Sequence, residues 1–358
     1  MSKIDFKEYL RPVWEGDTVC NESICFFPEA ETGEVMPAPL LFNPVEIISV
    51  RSADLKEEFV EGKDYIVKDG AICLVSGSRM KAWEYDEYYT TDPGMFKIGW
   101  IKPEGRFVHW TRGSFHADHQ YAVTYKHNGI WGGPKIKYMG DKLPKTIKTL
   151  KSGGTLKMLF YGDSITEGSD ASGFSGDFDG AFEPYMPIYP ELIVKRLSWE
   201  YPDCKIEYKN TAVGGWSSVQ GVEAAEERVA ANKPDLVIIA FGMNDLSFDA
   251  VKHKSNIEKI MEAALKVNPE TEFILVSTTL PNPQSKWSRH QLETFQPALE
   301  KITKEKSGVA LAPMTEIHKY LLSKKRYSDM SGNGINHPND FLVRIYAQTI
   351  SQLFLPKE

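Results

Sequence analysis

Strand-like segments and helical periodicities alternate along the chain from Thr155 onward. The segments interpreted as strands lie at positions 157–161, 206–210, 236–241, 273–277 and 309–312. The segment at 236–241 is apolar throughout, as expected for a strand that is covered on both faces. Apolar residues at helical spacing follow it, namely Ile257, Ile260, Met261, Ala264 and Leu265. This alternation predicts a mostly parallel sheet with helices on both sides, an α/β fold.

The first 150 residues have a different pattern. Short β-branched or aromatic segments are separated by Gly, Pro and Asp turns, without helical periodicity between them. These segments lie at 44–50, 64–68, 71–75 and 121–125. Such spacing predicts an all-β, jelly-roll-like antiparallel sandwich. A Gly-containing stretch at about 129–154 is the predicted linker, so we expect a β-sandwich accessory domain at 1–150 and a second domain at 155–358.

Aromatic residues are concentrated in the middle of this first part, from Trp83 to Tyr89 and at Trp100, Phe107, Trp110 and Phe115. The simpler interpretation is that these rings fill the sandwich core or a domain interface. The alternative is that some of them stack on sugar rings or cover a catalytic cleft. Three histidines, His109, His116 and His119, suggest a metal site, but no acidic or Cys partner completes a ligand set. We therefore predict no metal and no cofactor.

Composition and charge restrict the possible partners. The 358 residues are 42% hydrophobic and 25% charged, which is ordinary for a water-soluble chain and long enough for two domains. A formal net charge of −7 argues against nucleic acid and anionic membranes as partners. No apolar run approaches the roughly 20 residues that cross a bilayer, and the first residues lack an apolar signal region, so we expect a cytoplasmic protein. The sequence is compatible with a homo-oligomer, because the aromatic N-terminal sheet can pack on its own chain or on a neighbouring subunit.

Ser164 follows the first strand of the α/β part and is the candidate nucleophile. The strand ends at Gly162, and Asp163 and Ser164 form a strand-to-helix turn. In an α/β fold such turns lie at the carboxyl edge of the sheet, where ligands bind. A Gly-Asp-Ser sequence alone is also a common turn without chemistry. A serine nucleophile additionally needs a base that takes its proton and fixed donors that stabilise an oxyanion.

Candidates for these partners follow other strands of the same sheet. Gly215 belongs to a Gly-Gly turn after the 206–210 segment, so its backbone N–H can face a ligand. Asn244 directly follows the 236–241 segment and offers a side-chain amide. His337 lies on a Gly- and Asn-rich loop before the last helix and is the candidate base.

Four ordered segments resemble the four motif blocks of the SGNH or GDSL-type hydrolase superfamily. They are 162–166, Gly215, 242–245 and 337–338, and the resemblance covers about residues 155–358. The resemblance implies a flavodoxin-like three-layer α/β/α domain with esterase or lipase activity. It also implies that Ser164 is the nucleophile and that His337 is the general base. The oxyanion hole would consist of the Ser164 and Gly215 N–H groups and the Asn244 side chain.

The sequence departs from the superfamily at position 334. An Asp usually stands three residues before the histidine and orients its ring, but here that residue is Gly334. A backbone carbonyl near Gly334, a loop side chain such as Asn333 or Asn336, or Asp329 as a third member could replace it. We favour the carbonyl or the loop amide, and therefore expect a Ser-His dyad. Some carbohydrate esterases of the superfamily that have a β-sandwich ahead of the hydrolase domain also lack this Asp, and the chain is similar to them in domain order.

The substrate prediction depends on an insertion at 167–186 that begins beside the nucleophile. Its mixture of acidic and aromatic residues suits hydroxyl-rich ligands better than a long acyl chain. We assign substrate contacts to Glu167, Asp163 and Trp216. The expected function is a serine esterase that removes a small acyl group, most simply acetyl, from carbohydrate through an acyl-enzyme on Ser164. A thioesterase or lysophospholipase, or a catalytically weak carbohydrate-binding protein, is the alternative. The expected partner is a small-molecule or oligosaccharide ester.

Overall fold

The computed structural model describes residues 4–176, 180–287 and 291–356. The strands in these ranges are β1 (Thr18–Cys25), β2 (Ala38–Pro39), β3 (Pro44–Ser52), β4 (Glu58–Phe59), β5 (Tyr65–Lys68), β6 (Ala71–Leu74), β7 (Tyr89–Thr90), β8 (Phe107–Val108), β9 (Gln120–His127), β10 (Thr155–Gly162), β11 (Lys205–Asn210), β12 (Leu236–Ala240), β13 (Glu272–Val276) and β14 (Val309–Ala312). The α-helices are α1 (Phe6–Tyr9), α2 (Tyr85–Tyr88), α3 (Pro144–Ser152), α4 (Ser164–Glu167), α5 (Tyr189–Glu200), α6 (Ser218–Glu223), α7 (Ala225–Arg228), α8 (Ala250–Val267), α9 (Phe295–Glu305), α10 (Met314–Leu322) and α11 (Asp340–Gln352).

A five-stranded parallel sheet forms the centre of the second part, in the order β11-β10-β12-β13-β14. Each of the five predicted strands is present within a residue or two of its predicted bounds. The chain starts at β10, moves to one side to form β11, and returns to form β12 on the other side. This reversal opens a crevice at the carboxyl ends of β10 and β12, the place where open α/β sheets usually bind ligands.

Alternate strand residues pack on opposite faces of the sheet, and helices cover both. Phe160 and Ile238 belong to a hydrophobic cluster with residues of α5, α10 and α11. Tyr161 and Ile239 belong to a second cluster with residues of α8 and α9. The predicted apolar face of α8 is buried at positions 257, 260, 261 and 264. The result is the predicted three-layer α/β/α arrangement.

The N-terminal part contains antiparallel sheets. Four strands pair in the order β1-β9-β3-β4, three in the order β2-β6-β5, and β7 pairs with β8. The predicted segments at 44–50, 64–68, 71–75 and 121–125 correspond to β3, β5, β6 and β9. The all-β description is corrected by the single-turn helices α1 and α2, and by the nine-residue helix α3 inside the predicted linker. The jelly-roll-like sandwich and the domain boundary near residue 150 remain predictions.

Buried polar contacts join the N-terminal sheet to the segment that precedes α11. Lys325 Nζ lies 2.5 Å from Glu22 Oε1 of β1, and both side chains are fully buried. The Tyr125 hydroxyl of β9 donates to the other Glu22 oxygen at 2.7 Å. Gln120 donates to the carbonyl oxygen of Ser331 at 2.7 Å. Pulling this segment away from β1 would leave the buried charge of Glu22 or Lys325 uncompensated, which costs free energy. These contacts therefore hold the segment before α11 against β1 and β9. Within the described ranges, no helix has the length and apolarity to cross a membrane.

Candidate active site

The nucleophile candidate sits where β10 passes into α4. Asp163 caps this single-turn helix, since its carboxylate accepts a hydrogen bond from the Ile165 N–H at 3.1 Å. A side chain at Gly162 would come within 2.4 Å of the Ala240 carbonyl oxygen, so the backbone can approach β12 only with glycine there. The tight turn presents Ser164 at the carboxyl edge of the sheet.

The structure brings Ser164 and His337 into contact, with Ser164 Oγ 2.8 Å from His337 Nε2. The histidine loop is held by Asn333, whose side-chain oxygen accepts the backbone N–H groups of Ile335, Asn336 and His337 at 3.0–3.1 Å. Asn333 therefore fixes the backbone beneath the imidazole and does not contact the ring nitrogen. The geometry is that of a hydroxyl placed to give its proton to an imidazole.

A carboxylate that the sequence reasoning missed lies on the other side of the ring. Asp170 Oδ2 is 2.5 Å from His337 Nδ1, and the Asp170 side chain is almost completely buried. The expectation that a backbone carbonyl or a loop amide orients the ring, leaving a Ser-His dyad, is therefore wrong. Asp170 belongs to the insertion after the nucleophile and has a left-handed backbone with φ of +63°. A methyl group at Gly332 would come within 2.7 Å of Asp170 Cβ, so this glycine makes room for the carboxylate.

Asp329, the alternative third member that the sequence left open, makes other contacts. Its carboxylate accepts hydrogen bonds from Arg326 Nη2 at 2.8 Å and from the Cys25 N–H at 2.9 Å. Burial alone would raise the pKa of Asp329, but the charges of Arg326 and Lys325 hold that pKa below its ordinary value. Asp329 thus anchors the loop to β1 and does not contact His337.

Position 334, where the superfamily has its Asp, is crowded and has a backbone that favours glycine. Gly334 has a φ of +76°, and a side chain there would start 3.1 Å from both His116 Cε1 and Val108 Cγ1. Its carbonyl oxygen accepts a hydrogen bond from Asn282 Nδ2 at 2.8 Å. The site has therefore exchanged an Asp on the histidine loop for one on the insertion.

Restoring the superfamily residue by Gly334→Asp is expected to destabilise the protein without raising its activity. The positive φ and the contacts with His116 and Val108 together should lower the free energy of unfolding by about 1–3 kcal/mol. Gly77→Asp is the matched control, because Gly77 has a φ of +80° with open space around it. The free energies of unfolding of the two variants are measured with urea. Both variants carry the backbone strain of a positive φ, so the difference between them reports the packing contacts at position 334. Equal stabilities, or a faster enzyme, would contradict this account of the exchange.

The predicted oxyanion donors line the same cleft as Ser164 and His337. Gly215 has a φ of +78°, and Asn244 Nδ2 donates one of its hydrogens to the Trp216 carbonyl oxygen at 3.0 Å. Because an amide nitrogen carries two hydrogens, the second is left for a ligand. Asn244 therefore couples its own loop to the loop that carries Gly215.

A buried Asp-His pair reinforces this coupling. Asp245 Oδ1 accepts the backbone N–H of Ser218 at 2.7 Å, and Asp245 Oδ2 lies 2.7 Å from His253 Nδ1 on α8. Asn256 Nδ2 donates to the Ser218 hydroxyl at 2.9 Å. The turns that carry Gly215 and Asn244 are thereby fixed to α8, and preorganised donors of this kind are what oxyanion stabilisation requires.

Of the three predicted substrate contacts, the structure places only Glu167 on the cleft. Asp163 is only 2% exposed, and its carboxylate serves as the N-cap of α4. Burial raises the pKa of Asp163 to about 7. The Trp216 ring packs against a cluster behind the sheet edge, with the Arg228 guanidinium 4.8 Å from its centroid. These placements correct the predicted contacts of Asp163 and Trp216.

Residues from three distant segments form the walls of the cleft, which has a volume of about 460 Å³. Phe96, Trp110 and Arg112 come from the N-terminal part, and Trp287 follows β13. Phe174 and Gly176 come from the insertion, as expected, whereas its residues 177–179 lie outside the described residues. A cleft of this size accommodates a small molecule or a sugar unit.

Some aromatic residues of the N-terminal part fill a buried core, and others line the cleft. Trp83, Tyr88, Tyr89 and Trp100 are buried in a cluster of their own, whereas Trp110 lines the cleft together with Phe96, which the sequence reasoning did not single out. The neighbouring histidines are packed on rings, with His119 stacked 3.9 Å from Trp83 and His109 4.5 Å from Phe115. Within the described part of the chain, no group of three or more possible metal ligands occurs.

A model of the GDSL-like lipase/acylhydrolase family matches residues 160–341, just over half of the chain. The chain belongs to this family. The match begins in β10 and ends in α11, so it contains the Ser164 turn, the insertion, the loops of Gly215 and Asn244, and the histidine loop. The family assignment confirms the resemblance found in the sequence.

Individual relatives in the family match over shorter spans. An acetylxylan esterase from Geobacillus stearothermophilus is 36% identical over 98 residues, which are 27% of this chain and 43% of that protein. The match thus spans less than half the length of that relative. A solved two-domain esterase active on acetylated mannans is 21% identical, with 61% of this chain and 54% of that chain covered and a TM-score of 0.47. A solved acetylxylan esterase from Geobacillus stearothermophilus is 22% identical, with 57% and 96% covered and a TM-score of 0.45. TM-scores this low add nothing to the family assignment.

Proposed function

We propose that the protein is a serine carboxylic ester hydrolase that removes acetyl groups from carbohydrate. The observation that carries the proposal is the series of contacts from Ser164 Oγ through the His337 ring to Asp170, at 2.8 and 2.5 Å. This series opens on a cleft that Gly215 and Asn244 also line. Nucleophile, base, orienting carboxylate and oxyanion donors are thus near one point, the arrangement that acyl transfer needs.

In the proposed mechanism Ser164 Oγ attacks the ester carbonyl carbon while His337 Nε2 takes the hydroxyl proton. The negative charge on the carbonyl oxygen is stabilised by the Ser164 and Gly215 N–H groups and the Asn244 amide. The C–O bond to the sugar breaks, and the imidazolium gives its proton to the leaving sugar oxygen. Water, activated by His337, then attacks the acetyl-Ser164 carbonyl, so acetate leaves and Ser164 regains its proton. Asp170 holds the ring with Nδ1 protonated and stabilises the imidazolium.

The choice of acetylated carbohydrate rests on the cleft and on one relative. Glu167, Ser169 and Asn336 contribute polar groups to walls that also carry aromatic rings, a mixture suited to hydroxyl-rich ligands. The partial match to an acetylxylan esterase agrees with this substrate class. A thioesterase or lysophospholipase remains the alternative and calls for a continuous apolar groove.

Acetate release from a panel of acetylated oligosaccharides, followed by NMR, tests the proposal. We expect the intact protein to release acetate and the Ser164→Ala protein to release none above the uncatalysed rate. A parallel series of simple esters from acetate to octanoate should show falling activity with acyl length. Activity that rises with acyl length would favour the lipid alternative, and an active-site serine that resists fluorophosphonate labelling would favour a binding protein.

A further inference from the structure

We propose that Phe96 and Trp110, together with Trp287, form a carbohydrate subsite that binds the sugar unit next to the one being deacetylated. This inference deepens the proposed esterase function and rests on it for the identity of the reacting group. Two of its three rings, Phe96 and Trp110, belong to the N-terminal part of the chain, outside the residues that match the family model, whereas Trp287 lies within them. The class of ligand is an uncharged pyranose ring in an oligosaccharide.

The first observation is the exposure and geometry of the two N-terminal rings. Phe96 remains 51% exposed at the cleft, although nearby aromatic residues of the same segment are buried. The Phe96 and Trp110 centroids are 4.5 Å apart with planes at 84°. In such an edge-to-face pair, the ring that supplies the edge keeps both of its own faces uncovered by its partner. The Arg112 guanidinium lies over the Trp110 ring, 5.6 Å from its centroid, so Phe96 is the more open ring that the pair presents to the cleft.

The second observation is that the segment carrying Phe96 is fixed to the α/β part. The N–H of Ile101 donates to the Gln284 carbonyl oxygen at 2.8 Å, and the N–H of Lys286 donates to the Gly99 carbonyl oxygen at 2.7 Å. These bonds form a short antiparallel bridge between Trp100 and Ser285. Trp287, two residues further on, lines the cleft beside Phe96 and Trp110.

The third observation is that the segment at 282–287, which pairs with the Phe96 segment, also holds the histidine loop. Asn282 donates from its N–H to the Ile335 carbonyl oxygen and from Nδ2 to the Gly334 carbonyl oxygen, each at 2.8 Å. The segment at 282–287 therefore connects the loop of His337 on one side to the N-terminal aromatic segment on the other. The aromatic wall is thus held at a set position relative to the reacting serine, as a preorganised subsite requires.

The chemistry of the wall selects among possible occupants. A pyranose ring has an apolar face of C–H groups that packs on an aromatic ring, and its hydroxyl groups need polar partners. The cleft offers both, because the Glu167 carboxylate and the Ser169 hydroxyl lie in it with the rings. A linear acyl chain would leave these polar groups without partners, at a cost in binding free energy. A neutral oligosaccharide fits the whole set.

Truncation of the wall is expected to separate oligosaccharide from small-ester hydrolysis. Phe96→Ala and Trp110→Ala should each lower kcat/KM for an acetylated oligosaccharide about 10-fold, mainly through KM, as loss of a buried aromatic contact does. Hydrolysis of ethyl acetate should fall less than hydrolysis of the oligosaccharide, because this ester lacks the neighbouring sugar unit that the wall binds. The conservative Trp110→Phe should keep most of the oligosaccharide activity. Tyr208→Ala, which removes a 41% exposed ring of β11 outside the cleft, is the control.

Binding of the deacetylated oligosaccharide to the Ser164→Ala protein, measured by calorimetry, keeps this inference separate from the esterase proposal. Binding that is lost in the Phe96→Ala and Trp110→Ala double variants supports the subsite even if no acetate is released. Absence of binding to the Ser164→Ala parent overturns the subsite even if ethyl acetate is hydrolysed. Wall variants that hydrolyse the oligosaccharide like the wild type, or that lose ethyl acetate activity equally, also overturn it.

Discussion

Asp170→Asn is expected to lower kcat for ester hydrolysis by about four orders of magnitude while leaving the fold intact. Asp170 Oδ2 lies 2.5 Å from His337 Nδ1, so in the wild type it fixes the tautomer that leaves Nε2 free to accept the Ser164 proton. An Asn in its place can donate to Nδ1 and thereby favour the opposite tautomer, in which Nε2 carries a hydrogen. Steady-state kinetics on a simple acetate ester measure the effect, and KM should change little.

The matched control is Asp329→Asn, since Asp329 is also buried and lies just before the histidine loop. Its carboxylate contacts Arg326 and the Cys25 N–H, not His337. We expect a lower melting temperature, because the partly buried Arg326 guanidinium loses its counter-charge, with kcat reduced less than about 10-fold. The reverse pattern, a large rate loss in Asp329→Asn and a small one in Asp170→Asn, would refute the assignment of Asp170 as the orienting carboxylate.

Ser164→Ala and His337→Ala are each expected to lower kcat by about four to six orders of magnitude. Both side chains act in the same proton transfer, because their reacting atoms are 2.8 Å apart. The double variant should therefore be little worse than either single one. Fluorophosphonate labelling followed by mass spectrometry should modify the wild type at Ser164 and leave the Ser164→Ala protein unmodified.

Ser198→Ala is the control for loss of a serine hydroxyl, since Ser198 is exposed on α5 and its hydroxyl donates only to the Val194 carbonyl oxygen of the same helix. This variant should keep wild-type kinetics and labelling. Circular dichroism melts should show all variants folded at the assay temperature. A Ser164→Ala protein with more than about a tenth of the wild-type kcat would mean that another group forms the acyl-enzyme, and the proposed mechanism would fail.

The α/β fold could be predicted because each of its signals is local. A buried parallel strand is a short apolar run, as at 236–241, and an amphipathic helix such as α8 repeats its apolar positions every three or four residues. Parallel strands then bring their carboxyl ends to one edge, so strand direction alone is enough to group Ser164, Gly215 and Asn244. His337 lies on a loop too rich in Gly and Asn for a helix or strand, which made it a candidate base, and the resemblance to the superfamily implied that role.

Asp170 could not be predicted because nothing in its local sequence distinguishes it from the other acidic residues of the insertion. Its contact with His337 depends on a left-handed turn at Asp170 and on the absence of a side chain at Gly332, 162 residues away. Spacing relative to the histidine pointed instead to Gly334 and Asp329, whose surroundings the sequence does not reveal. Gly334 showed that the superfamily's usual Asp is absent, but it did not show which residue orients the His337 ring instead.

The cleft wall was likewise decided by tertiary structure. Phe96 and Trp110 reach the site because hydrogen bonds join residues 99–101 to residues 284–286, and backbone pairing across such a separation leaves no periodic signal in the sequence. The amino-acid sequence by itself determined the α/β core and placed Ser164, Gly215 and Asn244 at one edge of the sheet, since these follow from local patterns and from strand direction, whereas their expected roles came from the resemblance to the superfamily. Folding decided which carboxylate orients His337 and which rings border the cleft, because both depend on the packing of segments that are distant along the chain.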